Sequence, residues 1–439
     1  MESLLSANED ILIPPLSLGL KPGASYIAQR RQAQIYSSVN SAAPNGVQTC
    51  KWNISSSVEW CDPASVILSF DVVNDHAGAI TPATPGAHCL FDRYQCRISS
   101  AQIEDIDHYG RTCEAFTRAI PAEKRLNETM LGFGVLRDWL AVAAGPPNVA
   151  TDTAFGGSHT AIPIAQGARR KVYMKLPLSG VFTSQQKYLP CWSMGAGGVE
   201  ILLSLAPAAD AFVGAATYHL ENLMLECDMV TIDSALQEQY SRNLLEGGSL
   251  TLHTKLWDCT QVYLPPANGG NFDVSLSKSL SRAATIFFNF AEELTDGQQA
   301  AGEKYVNTFR AFEACRENME SHVTVGSKKF PETPTKGLTG HFWRLVSSLG
   351  IAKSLAHTIN VDREAYGSNS YMQGTDLEAC PMVASSGINT TGGQELALHV
   401  KGFHDPALAN NAGVLRRCWA CIHYEAIVEL KATGAHLLT

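Results

Sequence analysis

The sequence carries little charge, and the balance is acidic. Of its 439 residues only 17% are Asp, Glu, Lys or Arg, against about 25% in an average soluble domain. A protein that coats nucleic acid needs basic stretches, but this chain has 42 acidic and 33 basic residues, with only short clusters such as Arg30-Arg31 and Lys328-Lys329. We therefore expect no sequence-specific nucleic-acid binding, and a surface that is largely neutral or covered by other subunits.

Long hydrophobic runs are also missing. No stretch approaches the ~18 consecutive apolar residues of a membrane-spanning helix. The first residues include Glu2, Glu9 and Asp10, where a secretory signal would have positive charge followed by an apolar segment. The chain is thus expected to be soluble and made in a non-secretory compartment, where its 12 Cys would stay reduced in the core.

The usual catalytic signatures are absent. The patterns G-x-S-x-G, H-E-x-x-H and G-x-x-x-x-G-K-[ST] of hydrolases, zinc proteases and phosphate-binding loops do not occur. The glycine-rich run 195–198 precedes a predicted strand instead of a helix, which favours a tight turn over a pyrophosphate site. Cys418 and Cys421 have the spacing of a zinc motif, but residues three apart in a strand project to opposite faces, which favours core thiols.

Two polar clusters have simpler interpretations than a functional site. The run EDIDH at 104–108 has donor atoms for a divalent cation but lacks the features of an EF-hand loop, so we interpret its carboxylates as helix-start residues. His341 beside Phe342 and Trp343 suggests a base in an aromatic pocket, although a packed helix face is favoured. We therefore predict no catalytic, cofactor-binding or metal-binding residues, no cofactor and no enzymatic activity.

The sequence does contain runs in which apolar and polar residues alternate with a period of two. In VILSFDVV at 66–73, apolar residues alternate with Ser69 and Asp71, as in a strand with one buried face. Gly, Pro, Asn and Asp separate many such runs, which is typical of a β-sandwich and not of alternating strands and helices. The predicted strands lie at 26–36, 48–54, 66–73, 172–176, 199–205, 221–232, 250–254, 258–264, 283–290, 322–325, 394–400 and 417–430.

Helices are few. The run 233–248 predicts one near the middle of the chain, because Leu236, Tyr240 and Leu244 share a face and Gly247 suits a left-handed stop. Asp233 or Ser234 would cap its first turn. Two further helices are predicted within 106–120 and 339–350.

The two halves of the sequence are similar to each other. The run GGVEILLSL at 197–205 matches GGQELALHV at 392–400 at an offset of 195, and each precedes a long alternating strand. Residues 97–116 and 323–342 both predict a strand, a polar turn and an amphipathic helix, at an offset of 226 to 227. Because the offset is smaller for the pair that lies later in each half, the first half must contain an insertion, and a Pro- and Gly-rich loop at 142–170 supplies it. We infer two similar β domains in tandem.

Seven segments, in this order, span nearly the whole chain. They are SSVEWCDPASVILSFDVVN, AQIEDIDHYGRTCEAF, AEKRLNETMLGFG, LPLSGVFTSQQKYLPCWSMGAGGVEILLSL, YHLENLMLECDMVTIDSALQEQYSRNLLEGGSL, SHVTVGSKKFPETP and CWACIHYEAIVELKATGAHLLT. With them the sequence resembles the double jelly-roll major capsid proteins of the adenovirus-like lineage of DNA viruses, above all the shorter ones of polinton-like viruses. The most specific part is the middle, where two strands and a Tyr-bearing helix resemble the join between two rolls.

The resemblance predicts the fold class and the division of the chain. The fold is expected to be mainly β, with two tandem antiparallel jelly-roll sandwiches and a few short helices at the joints. An N-terminal arm at 1–25 would precede a first jelly roll at 26–235, which carries the loop insertion at 142–170. A connecting helix at 236–248 would lead to a second jelly roll at 249–439.

The resemblance also implies a function. We expect a major capsid protein whose homotrimers form pseudo-hexameric capsomers that tile an icosahedral viral shell, located in the virion and assembled inside the host cell. Its partners would be neighbouring capsomers, minor capsid and penton proteins, with contacts through loops at 142–170, 291–320 and 402–415. The arm at 1–25 is a candidate for contact with an internal membrane. Two alternatives stay open: a β-sandwich viral attachment or spike protein and, less favoured, a carbohydrate-active β-sandwich enzyme with paired carboxylates.

Overall fold

The structure is a computed structural model that describes most of the chain. The described residues are 26–119, 130–134, 161–185, 187–214, 216–264, 271–292, 319–350, 366, 371–378, 387–391, 395–402 and 416–438. The predicted arm at 1–25 and most of the predicted loops at 142–170, 291–320 and 402–415 lie outside these residues.

Strands dominate the described residues, and helices are short. The strands are β1 (Ile27–Tyr36), β2 (Ser41–Ala42), β3 (Thr49–Ile54), β4 (Trp60–Asn74), β5 (Thr81–Pro82), β6 (Phe91–Ile98), β7 (Ala101–Asp107), β8 (Arg169–Met174), β9 (Val199–Leu205), β10 (Phe212–Val213), β11 (Tyr218–Ile232), β12 (Leu250–Leu264), β13 (Phe272–Leu276), β14 (Ala283–Glu292), β15 (Glu320–Val325), β16 (Lys328–Lys336), β17 (Gln373–Asp376), β18 (Leu396–Lys401), β19 (Arg416–Lys431) and β20 (Gly434–Leu438). The α-helices with both ends in these residues are α1 (Tyr109–Ala119), α2 (Gly180–Thr183), α3 (Ala208–Ala211), α4 (Ser234–Leu245) and α5 (Gly337–Ser348).

The predicted period of two is present in the strands. In β9, every second side chain from Val199 to Leu205 is buried and the intervening ones are half-buried. The strands predicted at 250–254 and 258–264 form one continuous strand, β12. Sequence reasoning missed the strands β7, β13, β16, β17 and β20 and the two-residue strands β2, β5 and β10, and it indicated only the end of β6.

The first half of the chain forms a sandwich of two antiparallel sheets. One sheet has the order β1-β11-β4-β8, and the facing one has the order β3-β9-β6-β7. Numbering the long strands from one to eight along the chain gives 1-8-3-6 and 2-7-4-5. Neighbouring strands are thus often far apart in sequence, as in a jelly roll built from two Greek keys.

The second half repeats this strand order. Its sheets run β12-β19-β14-β17 and β13-β18-β15-β16, which again gives 1-8-3-6 and 2-7-4-5. The matching runs at 197–205 and 392–400 contain the seventh strands, β9 and β18, so the predicted duplication is confirmed. The other matching runs, 97–116 and 323–342, were predicted to contain a strand, a turn and a helix. In each of them the structure has a further strand before the helix, β7 in the first half and β16 in the second, and this is the fifth strand of its sandwich. The predicted fold class, two tandem antiparallel jelly-roll sandwiches with short helices at the joints, is confirmed.

The two sandwiches share one sheet. β7 of the first sandwich lies beside β12 of the second, and the single parallel pair Cys259 and Ile106 joins the two sheets. With β20, which pairs with β19, the joined sheet has nine strands. A sheet that continues from one half to the other places the two sandwiches side by side.

Helix α4 follows the last strand of the first sandwich, as predicted. Leu236, Tyr240 and Leu244 are buried, and Gly247 has a φ of +87° just after the helix. Asp233 occupies the N-cap position, but its side chain makes no capping hydrogen bond, so that part of the prediction is wrong. Tyr240 instead contacts Trp60 edge-on at 5.0 Å, which fixes the helix against the first sandwich.

The cysteines and glycines singled out in the sequence behave as predicted. The described cysteines are free thiols and all are buried, and burial raises the pKa of Cys50 and of Cys89 to about 12. The run 195–198 ends a 3-10 helix in a tight turn, where a side chain on Gly198 would lie 2.3 Å from the Ile54 carbonyl oxygen. None of the described helices is long and apolar enough to cross a membrane. The described cysteines are Cys50, Cys61, Cys89, Cys96, Cys113, Cys191, Cys227, Cys259, Cys418 and Cys421.

Strand β16 ends its sheet and is unlike the inner strands. Its sequence, KKFPETPTK, contains Pro331 and Pro334 and three lysines, and none of its residues is fully buried. Prolines and lysines on an end strand discourage pairing with a further strand, because proline has no N–H to donate.

Candidate functional site at the junction of the sandwiches

Helix α1 lies between the two sandwiches and contacts both. On the side of the first sandwich, the Tyr109 hydroxyl donates a 2.6 Å hydrogen bond to the Pro177 carbonyl. Two turns further along the helix, the Phe116 ring meets Trp257 of β12 at 5.0 Å and Phe287 of β14 at 5.1 Å, both edge-on. The predicted helix at 106–120 is therefore present, and its Phe116 anchors it to the second sandwich.

The aromatic contacts continue across the second sandwich. The Trp257 ring stacks on His423 of β19 with a centroid distance of 4.4 Å. Burial, with a smaller contribution from the Lys255 ammonium group, lowers the pKa of His423 to about 4, so the imidazole is neutral near pH 7. We call Phe116, Trp257, Phe287 and His423 the junction cluster. It is an apolar contact that does not depend on ionisation near neutral pH.

Backbone contacts reinforce the junction next to this cluster. Helix α2 of the first sandwich lies directly on β12, and a Cβ atom on Gly180 would fall 1.9 Å from the Lys255 carbonyl oxygen. The Lys255 N–H donates a 2.9 Å hydrogen bond to Ser184 Oγ. Only glycine permits so close an approach of two backbones.

A buried carboxylate holds helix α2 in place. The Glu104 side chain, in a residue only 2% exposed, accepts hydrogen bonds from Gly180 N at 2.7 Å and from Ser179 Oγ at 3.1 Å. The Tyr94 hydroxyl lies 2.6 Å from Ser179 Oγ and extends the network. Burial raises the pKa of Glu104 to about 7, although the hydrogen bonds act in the opposite direction.

The position of Glu104 corrects a sequence prediction. The acidic run at 104–108 was expected to start a helix, but Glu104 and Asp105 lie within β7, and α1 begins only at Tyr109. Glu104 shares a strand face with Ile106, which pairs with the buried Tyr94. The alternation of β7 would have revealed the burial of Glu104 had this strand been predicted.

The pKa of Glu104 leads to a pH-dependent stability that can be measured. A buried carboxyl with a raised pKa favours the folded chain below its ordinary pKa of 4.5, and this contribution is lost as the pH rises through 7. Between pH 5 and pH 8, we expect the free energy of unfolding to fall by about 2 to 3 kcal/mol more in the unsubstituted protein than in Glu104→Gln. Urea unfolding of both proteins at both pH values measures the difference, and parallel pH profiles would contradict the prediction.

A groove of about 650 Å³ beside β7 and β12 contains several carboxylates, but each already has a partner. Asp105 accepts a 2.6 Å hydrogen bond from Arg93 Nη2, and Asp258 forms an ion pair with Lys278 at 2.8 Å. Glu104 is used by the network described above. Among the described residues, no group of three His, Cys, Asp or Glu side chains is arranged to hold a metal ion.

The remaining sequence candidates are structural. His341 is buried on α5; its Nδ1 donates to the Gly337 carbonyl at 2.6 Å, and its Nε2 lies 2.7 Å from Ser321 Oγ. The preference for a packed helix face is confirmed. Cys418 and Cys421 are buried free thiols on β19, as predicted for core residues.

Comparison with known proteins finds matches among solved structures and not among family models or curated sequences. No protein-family model and no curated protein matches the sequence. The PBCV-1 protein VP54, fitted into a reconstruction of the virophage Sputnik, matches with a TM-score of 0.63 and 12% identity, covering 96% of this chain and 99% of its own. The Faustovirus major capsid protein matches with a TM-score of 0.61 and 9% identity, covering 97% of this chain and 94% of its own. A PBCV-1 virus capsid structure gives 0.59 and 13%, covering 96% and 99%.

The chain is a double jelly roll. At this level of identity the likeness concerns the fold, and it extends over almost the full length of both chains compared. In a double jelly roll, the element that sets the relative position of the two sandwiches is their junction. The junction cluster, the contact of Gly180 with β12 and the Glu104 network together form that element here.

Proposed function

We propose that the chain is the major capsid protein of an icosahedral virus. Three copies would form a capsomer in which six similar sandwiches give a pseudo-hexagonal outline. The observation that carries the proposal is the repeated strand order of two sandwiches that one shared sheet holds side by side. Proteins with this fold include those described as a virus capsid and a major capsid protein.

Elementary symmetry supports a trimer. A chain with two like halves contacts the next copy through a heterologous interface, and such interfaces form closed rings when the rotation between copies permits it. Three copies of two similar sandwiches approximate a hexagon, which tiles a surface. Large permanent interfaces are depleted in charge at their centres, which agrees with a charged fraction of only 17%.

The proposal includes partners and a location. The partners are further capsomers, minor capsid proteins and penton proteins, and the arm at 1–25 would contact a neighbouring capsomer or an internal membrane. The protein would be assembled inside the host cell and located in the virion, without enzymatic activity or sequence-specific binding of nucleic acid. The division into an arm, a first roll at 26–235, a connecting helix and a second roll at 249–439 is part of the same proposal.

The mass in solution tests this function. We expect size-exclusion chromatography with light scattering to give three times the chain mass of 47.4 kDa, and negative-stain images to show particles with hexagonal outlines. A stable monomer would contradict the proposal. Pentameric or fibrous particles would favour an attachment or spike protein instead.

A further inference from the structure

Helices α1 and α5 occupy the same place in the two sandwiches. A single offset of 227 residues aligns the end of β6 with the end of β15, and the start of β7 with the start of β16. Each helix follows the fifth strand of its sandwich. The offset grows to 228 at the start of the two helices and 229 at their ends, so Ala115 and Phe116, which lie against the second sandwich, correspond to residues 343–345 of α5.

The two helices differ in what covers them. The described side chains of α1 are buried or half-buried, because one side lies on its own sandwich and the other on the second sandwich. In α5, the buried side chains Leu338, His341 and Leu345 follow one helical stripe toward the second sandwich. Trp343 points away from that stripe and is 59% exposed. A large apolar side chain therefore stands exposed on the stretch of α5 that corresponds to the part of α1 lying against the second sandwich.

The surface that receives α1 also has a counterpart. Phe116 contacts the sheet β12-β19-β14-β17, whose equivalent in the first sandwich is the sheet β1-β11-β4-β8. On one face of that sheet, strand register places Tyr36, Met224, Ser69 and Tyr173 in one row across β1, β11, β4 and β8. Tyr36 is 67% exposed, Met224 and Tyr173 are half-buried, and the small Ser69 between them is buried, so the surface of the row is formed by Tyr36, Met224 and Tyr173.

We propose that the exposed face of α5, centred on Trp343, docks on this row in a second copy of the chain. The contact repeats between copies what α1 and the junction cluster do within one chain. The α5 face of one copy contacts a different surface, the row, on the next copy, so the contact is heterologous. In a closed ring of three copies, every α5 face and every row is then occupied. This inference rests on the proposed trimer and identifies the surfaces that hold it together.

Charge substitution at Trp343 tests the docking face. We expect Trp343→Glu to raise the concentration at which the trimer half-dissociates at least about 30-fold, as for a central interface residue. Leu245→Glu is the matched control, because Leu245 is an 84% exposed apolar residue on α4, outside the proposed contact. It should change the half-dissociation concentration less than about threefold. The measurement is light scattering over a dilution series, with circular dichroism to verify folding.

Directed cross-linking tests the receiving surface. Chains carrying Trp343→Cys are mixed with chains carrying Met224→Cys, allowed to exchange and oxidised. A disulfide-linked dimer should form in this mixture and not with Leu245→Cys in place of Trp343→Cys. The unsubstituted chain controls for native thiols; the described ones are buried.

The outcomes separate this inference from the proposed function. A trimer that tolerates Trp343→Glu and gives no cross-link would overturn the docking surface and leave the capsomer proposal intact. An unsubstituted chain that stays monomeric would overturn both. Loss of the trimer in Leu245→Glu to the same extent as in Trp343→Glu would also count against the assigned surface.

Discussion

Replacing Gly180 by alanine should destabilise the protein by about 3 kcal/mol or more, toward the upper end of what overpacking costs. The new Cβ would lie 1.9 Å from the Lys255 carbonyl oxygen and 2.8 Å from its carbonyl carbon. Because both are backbone atoms of β12, no side-chain rotation relieves the overlap. Helix α2 must move away from β12, and the Glu104 hydrogen bond to Gly180 N then lengthens. Urea unfolding measures the loss of free energy.

Gly46→Ala is the control for this substitution. Its nearest atoms would lie 3.8 Å from the new Cβ, which is ordinary van der Waals contact. We expect a change of less than about 0.5 kcal/mol, as for most surface substitutions. Equal effects at Gly46 and Gly180 would show that the close approach of α2 to β12 does not matter for stability.

Replacing Phe116 by alanine should have the second large effect, a loss of about 2 to 4 kcal/mol. The ring is half-buried against Trp257 and Phe287, so truncation removes apolar contact and leaves space at the centre of the junction cluster. Phe116→Leu keeps most of the volume and should cost less than half as much. Thermal and urea unfolding of both variants check the order.

A double-mutant cycle tests whether this loss belongs to the junction. Phe116→Leu and Trp257→Leu should couple by about 0.5 to 1.5 kcal/mol, as expected for an aromatic pair in contact. Phe70, which contacts Phe91 inside the first sandwich, provides the comparison. Phe116→Leu and Phe70→Leu should be additive within about 0.5 kcal/mol. Additivity of Phe116 with Trp257 would contradict a direct role of the cluster.

The elements that could be predicted are those whose pattern is local. The alternation in 221–232 reflects one buried and one more open face of a strand. In 66–73 the polar Ser69 and Asp71 are buried as well, so the expected open face is missing there, but both predicted strands are present. Helix α4 was predictable because its apolar stripe and its terminal Gly247 lie within one short run. The duplication was detectable because it is a relation between two stretches of sequence.

The elements that were missed lack such a pattern. β16 has prolines and lysines and no buried face, because it ends its sheet. β12 was predicted as two strands because Trp257 and Cys259, which pair with His423 and Cys421, face the first sandwich and interrupt the simple alternation. A strand that contacts protein on both sides does not show a clean period of two.

The junction itself could not be predicted from the sequence. Many of its contacts join residues far apart in the sequence, such as Glu104 and Gly180, 76 positions apart, and Phe116 and Phe287. Nothing local distinguishes Gly180 from other glycines, and the burial of Glu104 could be inferred only once β7 is recognised as a strand. Only the folded chain brings them together.

The prolines of β16 have a consequence for growth of the assembly. β7 continues into the sheet of the second sandwich, whereas its counterpart β16 has no N–H at Pro331 and Pro334 with which to recruit a strand from another molecule. Strand addition is thereby discouraged at this edge of the sheet. In the proposed trimer, a contact at this edge would then rest on side chains and not on an added strand.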